Sequence, residues 1–109
     1  MCKLCLNEDQ LEEISKFYRV LGEPARLKIL CELKCSPSDV QTLASKTGFS
    51  PSHISRQLNN LAKFDMVRSE REGQHTIFYA DNPLVDELSE LVNKELIARL
   101  EERMKKLLE

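Results

Sequence analysis

Tryptophan is absent from these 109 residues, glycine occurs three times, proline four times and histidine twice. So little Gly and Pro excludes a collagen-like or low-complexity chain. Three glycines could hardly build a phosphate-cradling loop. A Cys–His nucleophile pair would have to draw on His53 or His75, both claimed by another role below. No apolar run approaches the ~18–20 residues that a membrane span needs. The opening stretch Met1-Cys2-Lys3-Leu4-Cys5-Leu6-Asn7-Glu8-Asp9 turns acidic before a signal-type apolar segment forms. The expectation is a cytoplasmic protein without membrane contact, and not an enzyme.

What is present fits one domain, which at this length buries roughly two-thirds of its unfolded surface. Net charge is −2, but it is unevenly spread. From Gln41 to Arg68, Lys46, Arg56, Lys63 and Arg68 face Asp65 alone, a local +3 that leaves −5 elsewhere. A basic middle in an acidic chain fits one DNA-facing element on an otherwise unreactive body.

Leu11, Ile14, Phe17, Tyr18 and Leu21 recur at helical spacing, and Gly22 ends that helix. A second helix starts at Pro24, runs to about Lys34 and is apolar on several sides through Leu27, Ile29, Leu30, Cys31 and Leu33. It should be the buried one. Pro37 closes it. A third begins near Ser38, turns Val40, Leu43 and Ala44 inward and stops at Gly48. Ser50 then caps a fourth, with Pro51 in its first turn and Ile54, Leu58 and Leu61 inward. From Met66 to Ala80 the pattern becomes that of a β-hairpin around Glu72-Gly73-Gln74. After Asn82-Pro83 one long helix carries Leu84, Leu88, Leu91, Val92, Leu96, Leu100, Met104 and Leu107.

Ala44, Gly48 and Ile54 are spaced as two helices meeting across a tight turn require: a small residue at the approach, a chain reversal and a plug. A hairpin directly after such a pair makes a winged helix-turn-helix. The expected fold is mainly α with a β-hairpin wing, in the order α-α-α-α-β-β-α. Residues 1–9 form a Cys-containing arm, 38–64 the helix-turn-helix, 66–80 the wing and 83–108 a dimerisation helix. Ser52, His53 and Arg56 are the expected base readers, with Ser55, Gln57 and Asn59 beside them. Lys63 reads as solvated surface. Arg68, Arg71 and His75 on the wing are expected to reach the DNA backbone or minor groove. The apolar stripes of the first and last helices exceed what so small a domain buries alone, which points to a homodimer on a two-fold site.

Leu21-Gly22-Glu23-Pro24-Ala25-Arg26-Leu27-Lys28-Ile29-Leu30 resembles the opening of the arsenical-resistance repressor family (the ArsR/SmtB type). Ser50-x-x-x-Ile54-Ser55-Arg56-Gln57-Leu58-x-x-Leu61 is similar to that family's recognition helix, and Arg71 to Tyr79 to its wing. Gln57 stands where His is usual, and Asp65 replaces the Gly before the wing. The resemblance implies a homodimeric repressor, built through its first and last helices, that leaves a palindromic operator when an inducer binds. The family's zinc positions fall here on Asp81, Pro83, Lys94 and Ile97, so that site is missing. No cofactor is obligatory.

The cysteines form two pairs, Cys2-x-x-Cys5 and Cys31-x-x-x-Cys35, and in a reducing compartment they are thiols. Thiolates suit soft ligands, so Cd, Pb, Zn or As(III) are the candidate inducers. Cys2 and Cys5 resemble the N-terminal pair of the cadmium/lead branch, although that branch's second pair would fall at Ser36-Pro37-Ser38. Cys31 sits where the sulfide- and peroxide-sensing branch keeps its first reactive Cys, yet in an apolar helix it reads more readily as a small core residue than as a sensor. A thiol-redox or sulfide-responsive repressor, or one with no small inducer, remains the alternative.

Overall fold

The computed structural model describes residues 5–109; Cys2 lies outside them. Five helices and one hairpin follow in the expected order: α1 Glu8–Leu21, α2 Pro24–Cys35, α3 Val40–Thr47, α4 Pro51–Ala62, β1 Arg68–Glu72, β2 His75–Tyr79 and α5 Pro83–Leu107. No helix of the described residues is long and apolar enough to cross a membrane.

Local chemistry sets most boundaries. α1 starts at Glu8, inside the stretch read as an arm, because Asn7 and Gln10 form a reciprocal capping box: Gln10 N–H donates to Asn7 Oδ1 (2.8 Å) and Asn7 N–H to Gln10 Oε1 (3.0 Å). The third helix begins two residues later than expected. Asp39 is its cap, accepting from Thr42 N–H at 2.8 Å. Ser38 pairs instead with Phe78 on the outer edge of β2, through Ser38 N–H to Phe78 O (3.3 Å) and Phe78 N–H to Ser38 O (2.9 Å). Gly48 takes φ +81° and ends α3 with its N–H on Ala44 O. At that angle any side chain would be strained. Ser50 and Asn82 cap α4 and α5.

The core lies where α2, α3 and α4 meet. Ile29, Leu43, Ile54, Leu58, Leu61 and Met66 are fully buried there. Ile54 plugs the angle of the helix pair, as its spacing requires. β1 and β2 are antiparallel, with Arg68 opposite Tyr79 and Glu72 opposite His75.

Two expectations fail on α2. Leu27 and Cys31 are exposed, not core, because only Ile29, Leu30 and Leu33 face α3 and α4. The terminal helices are only partly covered: Phe17, Val20 and Leu21 of α1 pack half-buried against the core, and Val85 is the one buried residue of α5.

Candidate nucleic-acid interface

α4 presents one buried and one open face. Ile54, Leu58 and Leu61 are inside, while Ser52, Ser55, Arg56, Asn59 and Lys63 are exposed. Ser50 Oγ accepts from His53 N–H (3.2 Å) and lies 3.3 Å from Ser52 Oγ, so the cap and the first expected base reader share a hydroxyl pair. The His53 ring is half-buried, edge-on to Phe49 at 4.9 Å. Among the described residues the Arg56 guanidinium pairs with no carboxylate, which leaves its planar donor fork free for a base edge or phosphate. Ser52, Ser55, Arg56 and Asn59 are therefore brought together on one open face.

Gln57 departs from its expected place at the DNA surface. It is half-buried, and its Oε1 accepts from Arg26 Nε at 2.7 Å. A contact between residues 31 positions apart leaves no trace in local spacing.

Arg68 is likewise not a free cation. Its Nε and Nη2 both lie 2.8 Å from Asp81 Oδ2, its Nη1 lies 2.6 Å from Glu70 Oε1, and its Cζ sits 4.3 Å over the Tyr79 ring. The hydrogen bond to Asp81, then that to Glu70, raises the guanidinium pKa above its ordinary value. Tyr79 donates its hydroxyl to Glu72 Oε1 (3.1 Å), and that carboxylate raises the phenol's pKa. Both residues brace the wing. Asp81 is thereby committed to Arg68.

Farther out, Arg71 donates to Gly73 O (3.1 Å) and to Thr76 Oγ1 (3.4 Å), stiffening the tip while its charge stays exposed. His75 is exposed, with Nδ1 3.4 Å from Asp39 Oδ2. The wing tip is thus tied to the capped start of α3.

Cys5, Cys31 and Cys35 are free and exposed. Because α2 runs to Cys35, Cys31 and Cys35 stand at i, i+4 on one helix face. Cys31 also lines a cleft of about 370 Å³ between α2 and α5, with Leu27, Leu30, Met66 and Val85 as apolar walls and the Lys34–Asp86 ion pair (2.9 Å) at its edge. Among the described residues no group of three or more His, Cys, Asp or Glu is arranged to hold a metal.

A helix-turn-helix in the core, an open face on its second helix and a hairpin directly after it define a winged helix-turn-helix domain. Residues 23–69 match the model of the family described as bacterial regulatory protein, arsR family. The family matched there is one of regulatory proteins, and the fold is a winged helix-turn-helix.

The HTH-type transcriptional regulator NmtR of Mycobacterium tuberculosis is 29% identical over 73 residues, 67% of this chain. The chain spans 61% of that curated relative's length. The crystal structure of Rv0081 from M. tuberculosis superposes with TM-score 0.81 at 29% identity, covering 90% of this chain and 99% of that one. The winged helix-turn-helix domain Mb0332 of Mycobacterium bovis, described as homodimeric, superposes with TM-score 0.79 at 23% identity, covering 93% and 95%.

Proposed function

We propose that this protein is a cytoplasmic, dimeric transcriptional repressor that reads a palindromic operator and leaves it when an inducer reaches its cysteines. The observation that carries DNA reading is the open face of α4. Ser52, Ser55, Arg56 and Asn59 stand together behind a capped N-terminus, on a helix whose opposite face is fully buried. A helix held by its inner face and polar on its outer one is built to enter a major groove.

Dimerisation is supported by surface arithmetic. A compact 12.6 kDa monomer exposes roughly 6,200 Å², whereas this protomer exposes 8284 Å². The excess of about 2,000 Å² per protomer is the scale of an obligate dimer interface. Leu11, Ile14 and Tyr18 on α1 and Leu84, Leu96, Leu100 and Met104 on α5 supply it, all at least 40% exposed.

For the inducer, the favoured class is a soft metal or As(III), supported by the exposed i, i+4 thiols Cys31 and Cys35. Two thiolates leave a trivalent ligand one donor short, and Cys2 or Cys5 on the arm is the source we assign. A thiol-redox reading is favoured by a different observation, the opening of Cys31 onto the α2–α5 cleft.

Titrations of a duplex enriched by the wild type from a randomised library test both parts. Arg56→Ala should lose about 1–3 kcal/mol on that duplex and relax one base position; equal weakening on random DNA would remove Arg56 as a base reader. Cd(II), Pb(II) or As(III) should release the wild type, Cys35→Ser should keep DNA affinity and lose the response, and Cys2→Ser/Cys5→Ser should weaken it. Release by peroxide or polysulfide, blind in Cys31→Ser alone, would select the redox reading. Wild-type responses in every variant would make the cysteines structural.

A further inference from the structure

The guanidinium of Arg26 bridges two helices that belong to different parts of the proposed machine. Its Nε donates to Gln57 Oε1 on α4 (2.7 Å), and its Nη1 donates to Val20 O, one residue from the end of α1 (3.3 Å). Both Arg26 and Gln57 are half-buried, so water competes weakly for either group. A cation at the C-terminal carbonyls of α1 also opposes the negative end of that helix. α1 carries Leu11, Ile14 and Tyr18 outward, while Gln57 directly follows the exposed Arg56 in sequence.

We infer that Gln57 is a positioning residue: through Arg26 it fixes the recognition helix α4 against the end of α1, and so sets the separation of the two recognition helices across the dimer. This rests on the DNA-binding, dimeric reading above. A rotation of α4 about its axis is resisted by Ile54, Leu58 and Leu61, but those apolar contacts are non-directional. The Arg26–Gln57 hydrogen bond is directional, and it refers the helix to α1 and not to the core. Half-site spacing depends on the angle between α4 and the dimer axis, and α1 contributes to that axis. Gln57 thus acts on operator geometry without touching a base.

The test is a double-mutant cycle with Gln57→Leu, Arg26→Met and both together, on the duplex that the wild type enriches and on versions with half-sites one base pair closer or farther apart. Each single variant should lose about tenfold or more, the worth of one charge-assisted hydrogen bond. The loss should be the same whichever base is altered, with a flattened spacing preference, and the double should be no worse than either single. Gln57→Glu keeps an acceptor for Arg26 and should keep the spacing preference. A change at one base pair in Gln57→Leu that Arg26→Met does not reproduce would overturn the inference and make Gln57 a base reader; so would additive losses. Hydrogen exchange of the α4 amides gives a readout without DNA, expected to quicken in both single variants and to stay native-like in Gln57→Glu. Unchanged exchange in all variants overturns the link. Should Arg26→Met not fold, Arg26→Lys replaces it, with partial losses expected and wild-type spacing and exchange counting against us. A library that enriches no palindrome would instead defeat the DNA-binding reading, while exchange still decides the link.

Discussion

Arg68 and Asp81 close the base of the wing, joining the first residue of β1 to the chain just past the end of β2 through two contacts of 2.8 Å. The register places Arg68 opposite Tyr79, whose ring lies under the guanidinium. The wing's basic residues therefore divide into one that shapes it and one that extends from it.

That division predicts different salt behaviour. Arg71→Ala should reduce the log–log salt slope of DNA binding by about 0.9, as expected for one lost phosphate contact. Arg68→Ala should leave the slope unchanged while lowering the melting temperature. An equal fall in slope for both would show that Arg68 leaves Asp81 to meet DNA.

Assembly is tested on α5. Leu96 and Leu100 are 49% and 54% exposed in the protomer, so a charge there disturbs no intrachain packing. Leu96→Glu and Leu100→Glu should keep the helical circular dichroism of the wild type, sediment as monomers and lose tight operator binding. A dimeric Leu96→Glu protein would move the interface off α5.

Asp65 holds φ +56°, the only non-glycine residue with positive φ among the described residues. It is locked by its N–H on Ala62 O (3.0 Å) and by Asn82 Nδ2 on its carbonyl (2.9 Å). The left-handed conformation costs an ordinary L-residue roughly 1–2 kcal/mol, less for Asp. Asp65→Val should destabilise by about that amount, and Asp65→Gly should be neutral or stabilising by up to about 1 kcal/mol. Urea titrations measure both, and a strongly destabilised Asp65→Gly would mean the carboxylate itself matters.

Asp39 predicts acid sensitivity. Hydrogen bonds from the Thr42 side chain, then from its backbone N–H, hold the Asp39 carboxyl below its ordinary 3.8, and His75 adds a smaller pull. A depressed carboxylate stabilises the fold above its unfolded pKa, and the contribution fades as pH falls through the lower folded value. Asp39→Asn should therefore melt below the wild type at neutral pH, with the gap narrowing below about pH 4. A gap independent of pH would assign Asp39 a packing role.

Local physics was legible without coordinates. Gly48 must reverse the chain, Ser50-Pro51 and Asn82-Pro83 must start helices, and the change of period after Met66 must be a hairpin, because each depends on neighbours within a few residues. The open α4 face around Ser52, Ser55, Arg56 and Asn59 followed from Ile54, Leu58 and Leu61 by helical period alone. What the tertiary structure decided is which polar groups are already spent. Gln57 belongs to Arg26, Arg68 to Asp81, and Ser38 to Phe78 across 40 residues. Cys31 lies on the side of α2 that α3 and α4 leave uncovered. Hydrogen-bond partners and covered faces are set by which helices meet, and a residue type written along a chain carries no record of what will stand opposite it.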